Sequence, residues 1–128
     1  MNTRMLVGTE SGLWQACGGP LQPFNEFATR TVSALAQSGN DAWAIADGRS
    51  VLQWTGGRWT DRASLGDHAT CLAPTPNGLM IGTTQAHLFI LDDTLTPIES
   101  FETVAGRETW YTPWGDPADV RSIAVAPN

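Results

Sequence analysis

Short apolar runs alternate with Gly, Pro, Asn and Asp along this chain, and the runs return in the same order. Met5-Leu-Val-Gly-Thr9, Ala42-Trp-Ala-Ile-Ala46 and Leu79-Met-Ile-Gly-Thr83 superimpose, placing Val7, Ile45 and Ile81 in one column at spacings of 38 and 36 residues. Seven positions after each stands another apolar residue, at Trp14, Leu52 and Leu88. Leu35, Leu72 and Ile123 form a column ahead of these, and Ala34, Cys71 and Ser122 form a neighbouring one of small residues. Columns that hold along a whole chain are the signature of an internal repeat.

Each unit reads as four short strands. The first carries the small residues, which suit crowding toward a central axis. The second is a nearly unbroken apolar run, expected where both faces of a strand are covered. The third begins at Gly12, Ser50 and Ala86, and the fourth is more polar, as in Arg58-Trp-Thr-Asp-Arg62. A two-residue turn at Gly56-Gly57 places Trp54 opposite Trp59, a cross-strand pair worth roughly 0.2–1 kcal/mol over Ala–Ala. Cys17-Gly-Gly-Pro20 and Asp92-Asp93 supply turns at the corresponding places. Residues 26–37 are the one helical alternative, and they lack a stripe of 3.6-residue period.

Leu6-Val-Gly-Thr-Glu-Ser-Gly-Leu-Trp14, Met80-Ile-Gly-Thr83 and Val120-Arg-Ser-Ile-Ala-Val-Ala-Pro-Asn128 resemble the broad WD-repeat, YVTN and BNR-like β-propeller superfamily, which includes sialidase-like and sortilin-like rings. The resemblance implies an all-β fold of three four-stranded antiparallel blades. Blade one covers about 1–28 with a strand from 118–128, blade two about 29–66, and blade three about 67–117. Pro127-Asn128 match Pro76-Asn77, after which a second strand follows in the middle of the chain. The first unit thus lacks its first strand, and the C-terminal stretch offers one. Propellers typically use about four to eight blades, so two expectations follow. A second copy completes a six-bladed ring by homodimerisation, or the chain is half of a larger propeller.

Charge and composition narrow the chemistry. Seven arginines and no lysine against thirteen acidic residues give a net charge of −6. That excludes Schiff-base chemistry and disfavours a nucleic-acid backbone as partner. No segment has the length and apolarity of a signal peptide or membrane helix, so a cytoplasmic location without membrane partners is the expectation. Cys17 and Cys71 can form at most one bridge, and Cys71 within an apolar strand reads as a buried free thiol.

Candidate chemistry concentrates on one face, where the second-to-third and fourth-to-first strand connections emerge together. Leu52 and Leu72 are 20 residues apart but Leu88 and Ile123 are 35, so about 15 residues are inserted in the third unit. The insertion, 102–119, supplies Arg107, Glu108, Trp110, Tyr111, Trp114 and Asp116, and the neighbouring turns add Glu10, Asp47 and Arg49. Flat aromatic faces beside charged groups fit a glycan or peptide ligand. The competing reading is that Trp110 and Trp114 plug the blade edge.

A sialidase-like glycan hydrolase or lyase would draw on Arg30, Arg49, Arg107, Arg121, Tyr111 and Glu10, yet the Asp-box of that group is absent, as is any Trp-Asp dipeptide. Nucleophile-elbow, calcium-loop, phosphate-loop and dinucleotide motifs are also absent. The expectation is a non-catalytic module with no cofactor and no metal, assembling with itself.

Overall fold

The computed structural model describes residues 4–126; the match of Pro127-Asn128 to Pro76-Asn77 lies outside them. Strands β1 (Met5–Thr9), β2 (Gly12–Ala16) and β3 (Gln22–Pro23) make a first antiparallel sheet. A second contains β4 (Val32–Ser38), β5 (Asp41–Ala46), β6 (Ser50–Thr55) and β7 (Arg58–Ser64), each beside its neighbour in sequence. The third repeats that order with β8 (Ala69–Thr75), β9 (Gly78–Thr83), β10 (Leu88–Leu91) and β11 (Leu95–Pro97). The chain is all-β apart from 3-10 turns at Asn25–Phe27 and Arg107–Thr109 and one helical turn, α1 (Glu99–Glu102). Among the described residues no helix is long and apolar enough to cross a membrane.

Strand register corrects two columns of the sequence reading. In the second sheet Val32 faces Ala46, Ala34 faces Ile45 and Leu35 faces Ala44. In the third, Ala69 faces Thr83, Cys71 faces Gly82 and Leu72 faces Ile81. The two ladders coincide at an offset of 37, including a bulge at Ser33 and Thr70. Ile81 is therefore the counterpart of Ala44, and Ile45 is the counterpart of Gly82. Thr9 and Thr83 end β1 and β9 alike: each hydroxyl accepts from the amide two residues on and donates to the carbonyl that closes the turn. The column is Val7, Ala44, Ile81. Ala86 likewise lies in a turn, with φ 58°, and β10 starts two residues later, so Phe89 rather than Leu88 opposes Ile81.

The misplacement has a physical cause. β5 is apolar at consecutive positions because it is covered twice. Ala42, Ala44 and Ala46 belong, with Leu52, to a buried cluster shared with Leu13, Phe24 and Phe27 of the first unit. Ile45 and Val51, with Trp43 packed alongside, belong to a second cluster shared with Leu79, Ile81 and Leu91 of the third. The three sheets stack face to face, small residues on one side of β5 and large ones on the other.

Side-chain size is matched where one sheet meets the first strand of the next. A Cβ on Gly8 would lie 2.6 Å from Val32 Cγ1, and one on Gly82 would lie 2.5 Å from Val120 Cγ1. At the intervening junction the sizes are reversed, with Ile45 and Ala69 in one cluster. Glycine on one side permits valine on the other.

The hairpin at Gly56 and Gly57 forms with both glycines at positive φ, 63° and 86°. Trp54 and Trp59 oppose each other with ring centroids 5.7 Å apart. Phe24 meets both edge-on at 5.4 and 5.9 Å, so residues after β3 grip the outer edge of the second sheet. Residues 26–37 hold part of a 3-10 turn and most of β4. Cys17 and Cys71 are both free thiols, the first exposed and the second half-buried. Among the described residues the first sheet has three strands where the others have four, and residues 118–126 belong to no strand.

Gly8→Ala is expected to destabilise the chain by ~1–3 kcal/mol through overpacking. Combining it with Val32→Ala should recover at least ~0.5 kcal/mol relative to the sum of the single changes. Urea unfolding of the four proteins measures this, and strictly additive costs would refute the matched-size account.

Candidate functional site

The turns joining β1–β2, β5–β6 and β9–β10 lie at the same end of the sheets as the connections leading into β4, β8 and residue 120. Each connection is hooked to a turn by hydrogen bonds. The Thr31 hydroxyl donates to Glu10 O at 3.0 Å, and the Asp47 amide donates to Thr31 O at 2.8 Å. The Ala69 amide donates to Gly48 O at 2.7 Å, the Thr84 amide to His68 O at 3.0 Å, and the Val120 amide to Thr83 O at 2.9 Å. These bonds place two clefts side by side.

The first cleft, about 650 Å3, runs across the starts of β4 and β8. Thr31, His68 and Asp119 each precede the residue that begins β4, β8 or the C-terminal segment at Val120, and Ser33, Thr70 and Arg121 each follow it; all six line the cleft, with Asp47 and Thr84 on its turns. The bulge at Ser33 and Thr70 turns these positions out of the ladder and toward the opening. Arg121 is 81% exposed, with Nε 3.9 Å from an Asp119 carboxylate oxygen. His68 lies against Gly48, where a Cβ would come within 2.5 Å of its Nδ1, and Gly48 takes φ 77°. The cleft thus offers hydroxyls, an imidazole and a guanidinium to a polar ligand.

Asp47 is committed to the scaffold. Arg30 Nε–H donates to its carboxylate at 2.9 Å and the Thr31 amide donates at 3.1 Å. The Arg30 hydrogen bond, aided by that of Thr31 and by the arginine's charge, holds the Asp47 carboxyl below its ordinary value of 3.8. Arg49 similarly donates to Gly66 O. Glu10 is exposed in its turn and contributes its backbone carbonyl to Thr31.

The second cleft, about 750 Å3, is built by the insertion. Arg107 is its anchor: it donates to Ala86 O and Phe101 O, lies 3.7 Å from a Glu102 carboxylate oxygen, and covers the rings of Phe101 and Trp110 at 5.2 and 5.6 Å. Glu102 also receives His87 Nδ1 at 2.7 Å, while His87 Nε2 lies 3.7 Å from Asp67. The insertion is therefore pinned to the third sheet by charge-assisted contacts. Beyond it, Tyr111 bridges Pro117, and the Thr112 amide and hydroxyl both donate to Asp116 O, closing a small loop.

That loop separates the two insertion tryptophans. Trp110 packs on Phe101 with centroids 5.6 Å apart, which agrees with a plug. Trp114 is 70% exposed at the tip, and Tyr111 is 61% exposed beside it. Arg107, Glu108, Trp110 and Tyr111 line the second cleft, whereas Trp114 and Asp116 belong to the loop beyond it. Of the turn residues singled out in the sequence, Asp47 lines the first cleft and Glu10 and Arg49 line neither.

Sequence reasoning missed Thr31, Ser33, His68, Thr70 and Asp119, and assigned Arg121 only to a sialidase-like set. The signal was present: 31 and 68, like 33 and 70, are separated by the 37-residue offset. The sialidase-like set does not converge. Arg30, Arg49 and Arg107 hold three separate local contacts, and Tyr111 belongs to the other cleft. Among the described residues no group of three His, Cys, Asp or Glu side chains is placed to hold a metal ion.

Arg107→Ala should raise limited proteolysis within 102–119 and redshift tryptophan emission, with a far smaller change in cleavage elsewhere; unchanged digestion would refute its anchoring role. Because the folded-state pKa of Asp47 is depressed, its contribution to stability is present above 3.8 and is lost as pH falls through the folded value. The group is half-exposed, so the effect is small. Asp47→Asn should flatten this part of the acid limb of a stability–pH curve, and an unaltered limb would count against the Arg30 pairing. No protein-family model matches this chain, and neither a curated protein nor a solved structure matches it.

Proposed function

We propose that this chain is a non-catalytic β-propeller repeat module that assembles with a second copy of itself and binds a ligand or protein on the face carrying the 102–119 insertion. The observation that carries the binding reading is the exposed aromatic tip. Trp114 and Tyr111 stand on a loop closed by its own hydrogen bonds and fastened through Arg107 and Glu102 to the third sheet. Large apolar faces left in water on a held loop favour a partner with a flat apolar surface and polar edges, as a sugar ring or an extended peptide has. The adjoining polar cleft, with Arg121 and His68 on its wall, adds hydrogen-bonding groups on the same side.

The assembly reading is supported by the stacking. Consecutive sheets meet face to face with the first strand of the later sheet, β4 or β8, at each junction, and such stacking can continue around an axis until it closes. Three sheets leave an open face at each end, and a net charge of −6 directs the search for ligands away from nucleic acid.

Light scattering across a dilution series should give a mass twice 13.7 kDa; a monomer at every concentration would overturn self-assembly. Glycan and peptide arrays should yield ligands whose binding is lost in a Trp114→Ala, Tyr111→Ala double variant of unchanged circular dichroism. Full retention of binding by that variant would remove the insertion tip from the site.

A further inference from the structure

The two outer faces of the stack present what the inner faces already use. On β1, Leu6 and Gly8 turn toward the second sheet, so alternation directs Met5 and Val7 outward, with Trp14 paired to Val7 on the same side. On β9, Leu79 and Ile81 turn toward the second sheet, so Met80 and Gly82 face outward with their partners Ile90 and Leu88. Met5 is 53% exposed, and Val7, Trp14, Met80, Leu88 and Ile90 are half-buried. One outer face has the character of the front of a sheet, the other the character of a back. Within the chain, back meets front at both junctions.

Val120 lies at the second of these faces, and residues 121–126 run on from it, exposed except for half-buried Ile123. Val120 stands over Gly82 as Val32 stands over Gly8, the same close approach at the same position of the strand. Against the third sheet Val120 takes the place that Val32, the first residue of β4, takes against the first. Yet β4 is the first strand of a sheet, whereas among the described residues 120–126 belongs to no strand, Val120 alone donating its amide to Thr83 O. Among the described residues the first sheet has no such strand: the edge of β1 that β5 and β9 fill with β4 and β8 has none beside it.

We propose that residues 120–126 of one copy add antiparallel to the free edge of β1 in a second copy, reciprocally, so that each outer back face closes on the other copy's outer front face. This rests on the self-assembly reading and adds the strand, the edge and the register. Carrying over the ladder of β4 on β5 sets Val120 opposite Thr9, a bulge at Arg121, then Ser122 opposite Gly8, Ile123 opposite Val7 and Ala124 opposite Leu6. The bulge points Arg121 into the polar cleft, where it already lies, and brings Glu10 of the second copy, opposite in charge, to the place that Asp47 holds beside Ser33. Main-chain pairing removes two open edges at once, and a two-fold axis satisfies both exchanges together.

Cysteine pairs read this directly. In a Cys17→Ser, Cys71→Ala background, Ile123→Cys with Val7→Cys and Ala124→Cys with Leu6→Cys test adjacent positions of the ladder. Mild oxidation should convert at least one of these proteins largely to a disulfide-linked dimer, while Ile123→Cys with Met5→Cys, two positions out of register, links much more slowly. Each protein is also weighed by light scattering before oxidation. A dimeric mass with no preference for the matched pairs would overturn the strand exchange and leave self-assembly standing. A monomeric mass without crosslinks would overturn both. A disulfide formed within one chain would show that the segment returns to its own β1, which also overturns the exchange.

Discussion

Strand β5 has no face in water. Its alanines at 42, 44 and 46 lie against the first sheet, and Trp43 and Ile45 lie toward the third. A strand in this position can be covered on both sides only if each neighbour accommodates its relief. The alanine face admits Leu13 and Phe27, both almost fully buried, from the first unit. The larger face meets Ala69, the smallest of the equivalent residues Val32, Ala69 and Val120, while Gly8 and Gly82 stand where valine approaches instead. The spacing of the sheets, and with it the position of every turn at their ends, depends on this matching of sizes. Close-packed interiors transmit such constraints because they hold little free volume.

From this spacing comes the placement of the clefts. The turns and connections at one end interlock through hydrogen bonds accepted by the backbone carbonyls of Glu10, Thr31, Gly48, His68 and Thr83. The charged and aromatic side chains there divide into two kinds. Asp47, Arg30, Arg49 and Arg107 hold neighbouring segments and thereby fix the shape of the site. Arg121, Trp114 and Tyr111 are largely open to solvent. The division explains why a count of charged residues near the turns misjudges the site: an arginine that satisfies a carbonyl is part of the wall.

The insertion shows the same economy. The helical turn α1 that leads into it is too short to be stable alone, and it is held by Glu102, which meets both His87 and Arg107. Stacking of Arg107 over Phe101 and Trp110 adds cation–π attraction in a partly desolvated place. The resulting base is apolar and charged at once, and the hairpin-like tip beyond it can expose two aromatic rings without losing its shape.

The sequence by itself determined the kind of structure: short antiparallel strands, their order, the Gly56-Gly57 hairpin with Trp54 against Trp59, and an insertion rich in aromatic residues after β11. These follow from local chemistry, since glycine at positive φ and alternating side chains act over a few residues. It did not determine register. Ala44 and Ile45 are both apolar, and a strand covered on two faces carries no alternation from which to choose between them, so Ile45 was aligned with Val7 and Ile81 when Ala44 is their counterpart. Nor could it sort Trp110 from Trp114, or Asp47 from Asp119. Whether such a side chain is buried, paired or exposed depends on what the folded chain brings against it from elsewhere: Phe101 beneath Trp110, Arg30 beside Asp47. Those decisions belong to the tertiary structure, because packing and pairing across sheets are set by distance in space.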